Sequence, residues 1–198
     1  MPDLILASAS AIRHKMLVAA ALDVELRPVS VDEAGLRAAL AQDGASPRDM
    51  ADALAEAKAR RCAGRYSQGF VLGCDQILDH AGRVLAKPQT RDEARQQLLD
   101  LRGQTHRLWS AAVLYQDGAP IWRHIGEARL TMRAFSDSYL SGYLDRNWPA
   151  VSESVGGYRI EDEGIRLFSA ISGDHFTILG LPLIPLLQYL SDRGAIAA

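Results

Sequence analysis

The chain has 198 residues, 48% hydrophobic and 23% charged, with a formal net charge of −2. That is ordinary globular composition, in a chain long enough to bury about 70% of its unfolded surface without staples. The charge excludes a global field that would attract nucleic acid or an anionic membrane, and no apolar run approaches the length that spans a bilayer. The start, Met1-Pro2-Asp3, carries no basic region, and its apolar run stops at Ser8, so it does not read as a signal peptide. Cys62 and Cys74 form no CxxC pair and are expected to be reduced packing residues. A cytoplasmic, reducing location is therefore expected.

Leu4 to Ala7 predicts a first buried strand. Ser10 is a plausible N-cap for a helix over roughly Ala11 to Leu22, with Met16, Leu17, Ala20 and Ala21 as its apolar stripe. Arg13 falls on the inward side of the first turn. A strand-to-helix turn with Ser8 and Ser10 offers free N–H groups, and an arginine beside it would strengthen an anion site. A surface arginine on a capped helix is the plainer alternative. Val24 to Val31 reads as a second strand, ending in the carboxylates Asp32 and Glu33. A short helical segment, Leu36 to Leu40, follows.

Ser46-Pro47 opens a helix to about Ala63, closed by Gly64. Met50 and Leu54 are followed four residues on by Lys58, and then by Arg61, so two cations continue the apolar stripe. An inward lysine needs an anionic partner; a solvated one needs none. Phe70 to Gln76 reads as a short buried strand that breaks at Gly73 and presents Asp75 at its end, where ligands gather in open α/β sheets. A hairpin-like piece follows, with a turn at Asp79 to Gly82 and Lys87 closing its second strand before Pro88.

Thr90 caps a helix over Arg91 to Leu101, with Glu93 at the capping-box position. His106 to Tyr115 and Ile121 to Met132 predict an antiparallel hairpin. Ser136 caps a helix to about Arg146. A loop region follows to Gly164, and Ile165 to Ile171 and Phe176 to Leu179 read as last strands before a helix opening at Gly180-Leu181-Pro182. His106, His124 and His175 are scattered and polar-flanked, and are expected at the surface or behind a site rather than as ligands. The order implies an α/β fold with a mixed central sheet flanked by helices. One domain over 1–198 is expected, although the hairpin around 104–133 could form a lobe.

The chemistry-bearing set is then Glu33 and Asp75 with the cations Arg13, Lys58 and Lys87. There is no GxGxxG, Walker A, GxSxG or metal-spaced His/Cys pattern. Carboxylates with several cations suit a polyphosphate and a hard divalent ion. A metal-free sugar-phosphate binder would need the same cations.

Seven motifs in order, across nearly the whole chain, resemble those of the Maf proteins, nucleotide pyrophosphatases with an α/β fold related to the inosine triphosphatases. They are Leu6-Ala7-Ser8-Ala9-Ser10 with Arg13, Val31-Asp32-Glu33, Ala57-Lys58-Ala59, Gly73-Cys74-Asp75-Gln76, Lys87-Pro88, Gly103 with His106, and Gly180-Leu181-Pro182. Ala11, Cys74 and Ala86 are small departures from these motifs, and Ile12 stands where members often carry arginine or tryptophan. The resemblance implies cleavage of a nucleoside triphosphate to monophosphate and pyrophosphate with Mg²⁺, Mn²⁺ or Co²⁺. It implies Asp75 as proton acceptor, Glu33 and Asp75 at the metal, and Ser8, Ser10, Arg13, Lys58 and Lys87 at the phosphates. Arg13, Gln76 and Glu161 would set specificity, and Gln76 with Glu161 resembles the 7-methyl-GTP subgroup. A dTTP/UTP preference, or a non-catalytic nucleotide-binding regulator of septum formation, are the alternatives. A cytoplasmic homodimer with no nucleic-acid or membrane partner is expected.

Overall fold

The computed structural model describes residues 4–66 and 69–197; the reading of Met1 to Asp3 lies outside them. The chain forms two compact units, one of residues 1–76, 109–126 and 174–198, the other of residues 77–108 and 127–173.

The first unit starts with β1 (Leu4–Leu6), which leads through Ser10 into α1 (Ala11–Ala19) and back to β2 (Val24–Leu26). β2 is shorter than the sequence suggests. Arg27 N–H still bonds Leu6 O, but Pro28 has no N–H to continue the ladder. Asp32 and Glu33 are consequently not at a strand exit. The Asp32 carboxylate accepts from Gly35 N–H and caps α2 (Glu33–Gln42), which begins at Glu33. α3 (Pro47–Ala63) has the predicted Ser46 cap and Gly64 terminus.

β3 (Phe70–His80) is longer than expected, and its first part pairs in parallel with β1, Leu6 opposite Leu72. β5 (Thr105–Gln116) and β6 (Ala119–Met132) join through a two-residue turn, Asp117-Gly118, with φ of 52° and 78°, the left-handed values a tight hairpin requires. In the first unit the sheet order is β2-β1-β3-β5-β6. α1 and the C-terminal helix α7 (Leu183–Asp192) cover one face; Leu17, Leu72, Cys74, Leu114, Leu186 and Leu190 are among the buried residues there. α3 covers the other face at Gly73, where a Cβ would stand 2.2 Å from Ala55 O and 2.6 Å from Ala59 N. The buried alanines 51, 55 and 59, spaced by four, make that approach possible.

In the second unit, β4 (Arg83–Leu85) pairs antiparallel with the end of β3, and β7 (Phe168–Ser172) with the end of β6. α4 (Arg91–Leu101) and α5 (Asp137–Asn147) have the expected Thr90 and Ser136 caps. Two C-terminal strand readings are corrected. Residues 163–167 form a 3₁₀ turn before β7. Residues 175–178, back in the first unit, form the one-turn helix α6, because the Asp174 carboxylate accepts from the N–H groups of Phe176 and Thr177. Of the two placements expected for His106, at the surface or behind a site, the surface one is excluded: it is 1% exposed, its Nε2 lies 2.7 Å from the Tyr158 hydroxyl, and its Nδ1 has no partner among the described residues.

Candidate active site

β1 sits between β2, its successor through α1, and β3. The chain thus leaves β1 to one side and returns on the other, and the carboxyl end of β1 is a topological switch point, the place where open α/β sheets hold ligands. β1 stops opposite Leu72, while β3 runs eight residues further, to His80. Asp75 is therefore in mid-strand, past the point where its neighbour β1 ends and not at the end of its own strand.

Ser8 and Arg13 close the turn after β1. The Ser8 hydroxyl oxygen accepts from Ser10 N–H at 3.3 Å and from Arg13 Nη1 at 3.1 Å. Ser10 caps α1. Arg13 is 9% exposed, and it donates from Nε to Gly180 O at 2.7 Å and from Nη1 to Cys74 O at 3.2 Å. Three of its five N–H groups thus bind the protein itself, which leaves the two on Nη2, beside Gly180, as its remaining donors. Gly180 must be glycine here: its φ is +95°, and a Cβ would meet Nη2 at 3.0 Å.

Lys58 comes inward from α3. Its ammonium donates to Asp75 Oδ1 at 2.6 Å and pairs with Glu33 Oε1 at 2.8 Å, so two elements of the first unit and the mid-strand carboxylate meet at one cation. Arg61, the second cation expected on that stripe, is exposed, while Ala59 and Cys62 on either side of it are buried. Asp75 is 5% exposed, and burial pushes its carboxyl above the ordinary carboxylate value, against the pull of Lys58 and, more weakly, Arg13. Its Oδ2 is buried with no partner among the described residues. Gln76 lies on the opposite face of the strand, bonded to Ser110 Oγ and the Thr177 and Ile178 carbonyls.

The structure thus gathers Ser8, Ser10, Arg13, Glu33, Lys58, Asp75 and Gln76 in the first unit. Lys87 and Glu161 belong to the second. Lys87 does not close β4, which ends at Leu85; it is exposed in the following turn. The Glu161 carboxylate pairs with Arg159 Nε at 3.1 Å. Sequence reasoning missed Ser110 and the carbonyls of residues 74, 177, 178 and 180. Backbone acceptors carry no residue-type signal, and a serine inside an apolar strand reads as filler.

Fold and site together define an α/β protein with carboxylates and cations converging at a topological switch point. A family model described as Maf-like protein matches residues 3–193. The chain belongs to the Maf family. It is 53% identical to a protein of Ruegeria pomeroyi named nucleoside triphosphate pyrophosphatase, over 98% of this chain and 97% of that one. It is 49% identical, over the same shares, to one of Mesorhizobium japonicum named 7-methyl-GTP pyrophosphatase. Among solved structures, a HAM1 protein from Coxiella burnetii overlaps 68% of this chain and 75% of its own at 17% identity, with a TM-score of 0.45.

Proposed function

We propose that this chain is a nucleoside triphosphate pyrophosphatase of house-cleaning type that releases the monophosphate and pyrophosphate. The relatives of similar length named for that activity support the reaction. The observation that carries the mechanism is the Glu33–Lys58–Asp75 chain at the end of β1.

In this reading Asp75 accepts the proton from the water that attacks the α-phosphorus. Its geometry fits that role, since Oδ1 is held by Lys58 and Oδ2 has no partner among the described residues. Lys58, Arg13 Nη2 and the Ser8 and Ser10 hydroxyls stabilise phosphate oxygens, and Lys87 adds a further cation. A divalent cation, Mg²⁺, Mn²⁺ or Co²⁺, belongs to the proposal. The fit is chemical: the Glu33 and Asp75 carboxylates converge on Lys58, Glu33 also pairs with Arg37 Nη1 at 3.6 Å, and Asp75 Oδ2 is a buried carboxylate oxygen with no partner among the described residues. Among the described residues no group of three or more His, Cys, Asp or Glu side chains gathers as a metal site, so the protein would supply only Glu33 and Asp75, as is usual for Mg²⁺ shared with phosphates. Bound there, the cation would neutralise phosphate charge and acidify water.

Gln76 and Glu161 are assigned to the base, and a modified purine such as 7-methyl-GTP is the proposed substrate. A carboxylate can accept two N–H bonds from a guanine edge and favours a cationic methylated ring. The two units are taken as one functional domain, acting as a cytoplasmic homodimer. The test is a pyrophosphate-release screen over the standard triphosphates and 7-methyl-GTP. Turnover that depends on divalent cation is expected, with a fall of at least about 100-fold in Asp75→Asn. Undiminished turnover in that variant would overturn the mechanism, and a clear dTTP/UTP preference would overturn the base assignment.

A further inference from the structure

Gln76 is an amide beside a topological switch point, and its orientation is dictated by its neighbours. The Thr177 and Ile178 carbonyls, 3.3 and 3.0 Å away, can only accept, so the side-chain nitrogen and not the oxygen must face them. Ser110 completes the arrangement. It is fully buried on β5, its hydroxyl proton is donated to Thr177 O at 2.7 Å, and its lone pairs therefore face Gln76 Nε2 at 2.9 Å. The two amide hydrogens are consumed inside the protein. Gln76 Oε1 takes no hydrogen bond among the described residues and is the atom left for a ligand.

We infer that Ser110 is a positioning residue for base selection: it holds the Gln76 amide so that only a carbonyl oxygen is offered to the base. This rests on the nucleotide reading above. A fixed acceptor favours bases whose ring edge carries an N–H, guanine-type and uracil-type. It opposes adenine and cytosine, whose corresponding ring nitrogen is itself an acceptor. Glutamine without this clamp could turn its amide over and serve either kind of base. The selectivity thus comes from an unreactive serine and two backbone carbonyls, acting through a residue that could recognise either pattern.

The experiment measures binding and turnover separately in the full-length wild type, Ser110→Ala, Ser110→Thr and Gln76→Ala. Binding uses α,β-methylene analogues of GTP, UTP, ATP and CTP by calorimetry; turnover uses the triphosphates. In wild type, the GTP and UTP analogues bind more tightly than those of ATP and CTP. Ser110→Ala narrows that gap by about 3- to 10-fold, the worth of one lost hydrogen bond, and its effect falls on KM rather than kcat. Gln76→Ala narrows it at least as far. Ser110→Thr, which keeps the hydroxyl, restores it provided its melting temperature matches wild type; should it not fold, the comparison of Ser110→Ala with Gln76→Ala decides alone. An unchanged gap in Ser110→Ala with a narrowed one in Gln76→Ala overturns the positioning role and leaves the proposed function standing. Selective binding without turnover overturns the proposed function and supports the clamp. Absence of nucleotide binding overturns both.

Discussion

At the level of single residues, Lys58 and His106 meet opposite surroundings: two carboxylates face Lys58, whereas apolar burial surrounds His106. Lys58 bridges the Glu33 and Asp75 carboxylates. In Lys58→Met, turnover should fall by about 100- to 1,000-fold, with far-ultraviolet dichroism unchanged at neutral pH. Burial, and secondarily the charge of His80, holds the His106 imidazole at about 4, below its ordinary 6.5. The folded protein therefore keeps His106 neutral where the unfolded chain would protonate it. Its contribution is fully present above pH 6.5 and is lost as the pH falls toward 4. Urea titrations at pH 7 and pH 5 should show the wild type losing about 2 kcal/mol that His106→Gln does not lose. An equal loss in both proteins would remove His106 as the cause.

Among the elements, the contact that matters most is the one between α3 and β3. With no side chain at Gly73 the helix backbone lies directly against the strand, and Lys58, one turn beyond Leu54, comes level with Asp75. Gly73→Ala drives a Cβ into Ala55 O and Ala59 N, so α3 must shift. A loss of about 1–3 kcal/mol is expected, with turnover falling further than stability, read by denaturant melts and pyrophosphate release. Much of this architecture was legible in the sequence. The caps Ser10, Ser46, Thr90 and Ser136 are local signals, and each helix starts where its hydroxyl places it. The spacing of Lys58 to Leu54 left an inward and a solvated course open, and the carboxylates of Glu33 and Asp75 decide for the inward one. What escaped were features set by partners distant in the chain. β3 runs past Asp75 and pairs there with β4, Leu78 opposite Leu85. Phe176 to Leu179 has strand-forming residues, but the Asp174 side chain wins the backbone for one helical turn. His106 looked polar-flanked, yet its own side chain faces Tyr158 and Phe168.

For the molecule as a whole, the C-terminal segment matters more than its position suggests. Residues 174–198 supply Leu181, Leu183, Leu186 and Leu190 to the core of the first unit, Gly180 O to Arg13, and the Thr177 and Ile178 carbonyls to Gln76. Deleting them removes four buried leucine-sized groups, each worth about 1.5–3 kcal/mol, together with acceptors for two site residues. A chain ending at Gly173 should not fold cooperatively. Recovery of a soluble species with a sharp thermal transition would contradict that. Among the described residues no helix is long and apolar enough to cross a membrane.

Asp75 and Gln76 are consecutive residues that look out from opposite sides of one strand. In this reading, the proton acceptor answers to α3, and the amide answers to β5 and the α6 carbonyls. The supports of one therefore share no side chain with the supports of the other. Substitutions that retune which base is accepted can accumulate around Ser110 and Thr177 while the proton acceptor keeps its surroundings. In that reading, base preference can change while Lys58 and Asp75 keep their contact.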